Sequence, residues 1–453
     1  MTSRARAVLQ HPALWVGLIY LAGVVLRVLY TLVLHPPEAM ITSDMSLYVG
    51  LARKFAASGE ALKPWDVTHP LGYPALVAFL LQGGTSFARV VGVQLVVSCA
   101  VPLALGLLGL ATFGRRTALA AVAFASLYFP FIEYGALFLS EIHFILFLTL
   151  AFAAFHGARE VSGRGASLAL AAAGGVALSI ATALKSVALP AAVAFFAAEA
   201  LALWLAREGP EPPLSWRARL APWVLRGAIV VVAAAPLLGF LARVCTRANR
   251  GRFCVTGNKV GADFLLGHYG RIADIQWGAD EGYGFHFGSP ASYLRHYDVH
   301  KTVPFPITDS AANAAEAWRW IFAHPFEAVV VSIDHLYDTF LGPAMWPTFD
   351  SGSWPYAHLS QYVFLVFLLV PAVFALAAAM KRGARAFFTS RTLLVLAPVG
   401  ALAFTVAVAT GEVRYRVPFD IFFIVVACAS LVGELDDRRA RQASHAATPA
   451  ATT

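Results

Sequence analysis

Long stretches almost free of charge decide what this chain can fold into. About ten qualify: Ala13 to Leu34, Ala88 to Phe113, Thr117 to Phe131, Ile142 to Gly157, Ser167 to Leu184, Ser186 to Ala206, Pro222 to Val244, Tyr356 to Met380, Leu393 to Thr410 and Pro418 to Gly433. A helix rises 1.5 Å per residue and a bilayer core is about 30 Å thick, so roughly 20 apolar residues cross it. Only 13% of the chain is charged, against about 25% in a soluble domain. Together these features predict an all-α polytopic membrane protein of about ten transmembrane helices. Ser167 to Ala206 would be about 60 Å long as one helix, so it is read as two passes turning near Lys185. Ala13 to Leu34 exceeds a signal-peptide core and has no small-x-small cleavage site before His35-Pro36-Pro37, so it reads as a retained span.

Ten passes put both termini on one side. Arg4, Arg6, Arg115, Arg116, Arg159, Arg164, Arg207, Arg217, Arg219, Arg226, Lys381, Arg382, Arg385, Arg391, Arg438, Arg439 and Arg441 all fall on that side, which the positive-inside rule makes cytoplasmic. The net charge of +8 therefore reports topology and implies no nucleic acid. Leu71 to Leu81 is too short to cross. Counting Phe326 to Met345 as a span would turn Lys381 to Arg391 outward, so both segments are expected to lie in the outer interface. The organisation expected is a membrane module over 1–245 with a first outer loop at 35–87, an outer cap at 246–325, an interfacial helix and loop at 326–355, further spans over 356–433, and a disordered tail at 434–453. Cys245 and Cys254 open the outer segment, where an oxidising compartment would permit a disulfide; the pairing stays open. Cys99 and Cys428 read as small buried side chains.

On this topology Asp44, Glu141, Lys185 and Arg414, far apart in sequence, all reach the outer face. A charge beside the bilayer is costly to keep there, which marks these residues as candidates for a site. Asp44 and Tyr48, the Ala56-Ala57-Ser58-Gly59-Glu60 turn and His69-Pro70-Leu71-Gly72-Tyr73-Pro74 resemble the first extracytoplasmic loop of the GT-C glycosyltransferases. The nearest resemblance is to bacterial aminoarabinose lipid A transferases and protein O-mannosyltransferases, which use polyprenyl-phosphate sugars. Gly135 and Glu141 reproduce a glycine-to-acid spacing of six in the second outer loop, a basic residue at the Lys185 turn has a family counterpart, and Arg414-Tyr415-x-x-Pro418 looks like the signature before the last span. Thr256 to Lys259 and Gly267 to Gly270 resemble a glycine-rich outer loop. One departure is Met45, where many relatives carry a second acid.

The resemblance implies an inner-membrane enzyme moving a sugar from a polyprenyl-phosphate donor to a lipid, glycan or protein hydroxyl on the extracytoplasmic face. Such chemistry needs a base for the acceptor hydroxyl, cations for the leaving phosphate and hydrogen bonds for the sugar. A single committed base suits one inverting displacement. Asp44 is the expected base. Glu141 either orients the acceptor, shares a proton network with Asp44, or favours the start of the helix behind it. Lys185 and Arg414, with Arg416 second, are expected to hold the phosphate. Tyr48, His69, Tyr73, His268 and Tyr269 are substrate-binding candidates, and Glu133 reads as a solvated loop charge. No zinc spacing, Walker loop or D-x-D motif is convincing, so no metal or cofactor is implied, although other GT-C enzymes use a metal. A transporter or flippase is the rival class, but transporters commonly show repeat halves and this chain shows none. A polysaccharide polymerase or ligase is the other alternative.

Overall fold

The structure, a computed structural model, describes residues 12–41, 43–57, 62–82, 84, 86–205, 216–269, 274–277, 286–287, 300–342 and 354–447. Ser58 to Glu60, Arg4, Arg6, Arg207, Met345 and the Tyr269 side chain lie outside them. The described part is almost entirely helical. It opens with α1 (Pro12–Leu29), extended by a π-helical turn at Tyr30–Leu34. Next come α2 (Ser43–Ala57), α3 (Gly72–Leu81), α4 (Ala88–Phe113), α5 (Arg115–Leu127), α6 (Phe129–Glu133) and α7 (Glu141–Glu160). Then follow α8 (Arg164–Leu184), α9 (Ala188–Leu205) and α10 (Trp216–Ala248).

Nine described helices are long and apolar enough to cross a membrane, and a tenth crossing is made if α5 and the Phe129–Ala136 segment count as one span bent by 61°. The bend falls inside the expected Thr117 to Phe131 span and has a local cause. Tyr128 is extended, and Pro130, in the first turn of α6, lacks the N–H that would continue the helix. Many apolar side chains of α1, including Leu18, Leu21 and Val25, are exposed, as lipid-facing residues must be when their solvent is hydrocarbon. Arg27, inside α1, is fully buried and donates to Ser98 Oγ, Gly23 O, Ser126 O and Ala125 O. Those four acceptors make a mid-span cation tolerable and tie α1 to α4 and α5.

Three features place the site. α7 is the most enclosed span, with 78% of its apolar window buried, so Glu141 at its head sits in the middle of the bundle. Lys185 is extended and separates α8 from α9, as the length argument requires; Pro190 falls in the first turn of α9, where no helical N–H is needed. Gly72 packs on Ala183, whose carbonyl oxygen would lie 2.5 Å from any added Cβ. Only glycine lets the first loop come this close to the lysine turn.

A disulfide joins Cys245, in the last turn of α10, to Cys254 just beyond it, closing the question left open above. The cap contains α11 (Val260–Tyr269) and strands β1 (Asp274–Trp277), β2 (His286–Phe287) and β3 (His300–Val303), ordered β2-β1-β3 with β1 antiparallel to β2 and parallel to β3. It continues into α12 (Ser310–Ala323) and α13 (Pro325–Phe340). Its own core includes Leu265, Ile275, Trp277, Val303 and Trp320; the Trp277 indole donates to Asn313 at 2.7 Å. In α13, Ala328, Val331, His335 and Thr339 are buried while Phe326, Val329, Ile333 and Tyr337 are exposed. Such a one-sided helix suits an interface better than a crossing. The chain then runs through α14 (Trp354–Val363), α15 (Val370–Lys381), α16 (Ala384–Phe388), α17 (Arg391–Val408), α18 (Val413–Arg416) and α19 (Asp420–Ala447). α19 carries on well past Gly433, where the sequence suggested a disordered tail.

Candidate active site

Four elements bring four charges to one place. Arg414, from α18, donates through Nη2 to Asp44 Oδ2 at 2.5 Å and through Nε to Glu141 Oε1 at 2.9 Å. The Lys185 ammonium lies 3.0 Å from the same Glu141 oxygen. Asp44 stands in the first turn of α2, Glu141 begins α7, and Lys185 occupies the break between α8 and α9. Two acids and two cations, spread over 370 residues, thus form one continuous chain of ion pairs.

Exposure separates the members. The Glu141 side chain is wholly buried, whereas 26% of Asp44, 17% of Lys185 and 10% of Arg414 remain accessible. Glu141, held by two cations, is the most enclosed member of the chain, and Asp44 is its most accessible one. Burial alone would raise the Asp44 carboxyl, but the Arg414 guanidinium outweighs it and holds the acid well below the usual carboxylate range. Burial lowers the Lys185 ammonium, with Glu141 opposing. Burial and the nearby Lys259 push the His69 imidazole down to about 3, so it is neutral near pH 7. Glu412, just before α18, has a buried carboxylate oxygen with no hydrogen-bond partner, and burial raises its carboxyl.

The other candidates divide. Tyr48 lies one turn after Asp44, with its ring edge-on to His69 at 6.0 Å and to Tyr73 at 5.6 Å. His69 is half-buried, with Nδ1 3.1 Å from Thr68 Oγ1. Tyr73 is fully buried, and its hydroxyl donates to Gln94 at 2.9 Å. The Gln94 amide in turn donates to Gly135 O and Leu137 O. Tyr73 therefore locks the first loop to the second from a fully buried position. Gly135 presses on Ser98, whose Oγ would lie 2.5 Å from an added Cβ, which gives the glycine six residues before Glu141 a packing reason.

Arg416 also departs from expectation. Only 1% exposed, it pairs with Asp420 at 3.0 Å and Gln361 at 2.6 Å and lies over the Phe364 ring. Tyr128 completes this network by donating to Asp420 at 2.6 Å. His268 bonds to the Phe264 carbonyl and packs on Phe264 and Trp320 inside the cap. Glu133 is buried rather than solvated, because the second loop is packed into the bundle.

Lys259 was missed. Asn258 fixes it by bonding to Val67 O and Pro64 O of the first loop, and the ammonium pairs with Asp263 at 3.2 Å while acting on both Asp44 and His69. An outer-face basic residue, the signal used for Arg414, would have found it. Among the described residues no cluster of three or more His, Cys, Asp or Glu side chains could hold a metal ion.

A family model described as dolichyl-phosphate-mannose-protein mannosyltransferase matches residues 81–243. No curated protein matches at a significant level. Among solved structures, the Archaeoglobus fulgidus oligosaccharyltransferase tethered to an acceptor peptide superposes with a TM-score of 0.54 at 13% identity, covering 93% of this chain and 50% of that one. The same organism's oligosaccharyltransferase AglB, in complex with an inhibitory peptide and a dolichol-phosphate, gives 0.52 at 11% identity over 97% and 52%. The chain thus spans about half the length of these structures, and at such identities they report the fold. The chain is thus similar to that mannosyltransferase family over residues 81–243 and shares the fold of the archaeal oligosaccharyltransferase.

Proposed function

We propose that the protein transfers a sugar from a polyprenyl-phosphate donor to an acceptor hydroxyl, with inversion, at the extracytoplasmic face of a bacterial inner membrane. The observation that carries this reading is the sharing of Arg414 between partly exposed Asp44 and buried Glu141, with Lys185 alongside. A donor phosphodiester has one negative charge and leaves as a phosphate monoester with a second, so cations at that point act on the transition state more than on the ground state. As the phosphate takes up Arg414, Asp44 loses its partner and becomes a stronger base. Asp44 then accepts the acceptor's proton, the acceptor oxygen bonds to the anomeric carbon, and the bond to the phosphate oxygen breaks.

The basic residues at the opposite ends of the spans support the sidedness, as does the Cys245–Cys254 disulfide, which belongs in an oxidising compartment. The dolichol-phosphate bound by AglB supports a lipid-phosphate donor. The test supplies membranes with labelled polyprenyl-phosphate sugars and compares wild type with Asp44→Asn. Full activity in the variant removes Asp44 as base, and transfer from a nucleotide sugar without a lipid carrier overturns the donor assignment.

A further inference from the structure

A second strip of α2 borders a cavity of about 230 Å³. Ser46 and Lys54 lie two turns apart on that strip, and Trp65, Asp66, Tyr48 and His69 are also in the lining, whereas Asp44, Arg414, Lys185 and Glu141 take no part in it. The polar groups are fixed. Lys54 Nζ donates to Asp66 Oδ2 at 2.5 Å, and the Lys63 N–H donates to the same oxygen at 2.7 Å, across the 3₁₀ turn Pro64–Val67. Trp65 is half-buried and packs against the cap core, so its ring is held in place.

An indole beside a rigid ammonium–carboxylate pair matches the two-sided chemistry of a pyranose, which has an apolar face of C–H groups and a rim of hydroxyls. A lipid tail would leave the ion pair unanswered, and among the described residues no strand contributes to the lining to offer a peptide backbone a ladder. The volume falls below the roughly 300–1,000 Å³ of sites for larger ligands and suits a single ring. Two of the lining residues lie beside Asp44: Tyr48 one helical turn after it, and His69 near enough to act on its charge.

The geometry points to this cavity as the acceptor subsite and to a saccharide as the acceptor: its ring stacks on Trp65, Lys54 and Asp66 bond its hydroxyls, and one hydroxyl passes Tyr48 and His69 to Asp44. The inference rests on the transferase reading for its role, but its binding chemistry can be tested separately. Saturation-transfer NMR on the full-length protein in detergent, with a panel of methyl glycosides, should give signal for at least one glycoside in wild type and in Asp44→Asn. The signal should vanish in Trp65→Ala and persist in Trp65→Tyr, with unchanged size-exclusion profiles.

With that glycoside as acceptor and a labelled polyprenyl-phosphate sugar as donor, Trp65→Ala should raise the acceptor KM about ten-fold and leave the donor KM unchanged. An effect on the donor KM instead would give the cavity to the donor sugar and overturn the inference. So would glycoside binding indifferent to Trp65, or a peptide occupying the cavity where no glycoside does. Trp65-dependent glycoside binding without any transfer would keep the subsite and remove the transferase reading.

Discussion

Arg414 and Arg416 leave the same short turn of α18, yet they serve different ends. Residues two apart on a helix point to nearly opposite sides. Arg414 meets the partly exposed Asp44, whereas Arg416 is sealed among Asp420, Gln361 and Phe364. The first network has accessible members that an incoming anion can rearrange, and the second has every partner satisfied internally. Two ion pairs of similar composition therefore differ in whether they can change partners, and access sets that difference.

The sharpest way to break the contrast is to remove the accessible acid. Asp44→Asn should lower kcat by about 10²–10⁴-fold with no loss of folded protein, measured by transfer from a lipid-phosphate sugar and by size exclusion. Arg414→Ala should lower kcat by about 10²–10³-fold, again with intact folding, because Glu141 keeps Lys185. Arg416→Ala should act on stability instead: it strands Asp420, at a cost of about 3–5 kcal/mol, read as a lower thermal midpoint. Replacing both partners, Arg416→Met with Asp420→Leu, should recover much of that midpoint; failure to recover would make Arg416 more than a structural ion.

A pH profile sharpens the comparison further. Arg414 depresses the free-enzyme Asp44 carboxyl, so kcat/KM should hold level as pH falls to about 4. Once donor phosphate occupies Arg414, the Asp44 carboxyl rises, and the acid limb of kcat should lie at higher pH than that of kcat/KM. Coincident limbs would mean that Arg414 never leaves Asp44. The smallest effect is expected from His69→Gln. With the imidazole at about 3, it is already neutral from pH 5 to 8, and the profile over that range should keep its shape.

Much of the site was legible because its residues are charges at the ends of apolar spans, where few alternatives exist. Asp44, Glu141, Lys185 and Arg414 follow from span ends, topology and the family resemblance together, and the structure brings the four into contact. The illegible part concerns direction. Nothing local tells which of Arg414 and Arg416 faces the site, since a four-residue helix has no periodicity to read. Tyr73 and His268 carry ordinary loop signals, and their burial is settled by Gln94 and Trp320, each distant in sequence. Glu133 looked solvated because it is a charge in the short connection between two spans, whereas the break at Tyr128 folds that connection inward. Lys259 depends on Asn258 reaching back to residues almost two hundred positions earlier.

The Arg414–Asp44 contact also bears on how the cycle ends. In the proposed reaction the departing lipid monophosphate carries more charge than the donor did, and unaided it would cling to the cations that helped it form. Asp44 would at that moment hold a proton and could not compete. Once the proton escaped to the aqueous side, the carboxylate would reclaim its arginine and eject the spent carrier, so that one guanidinium would gear turnover and proton release together.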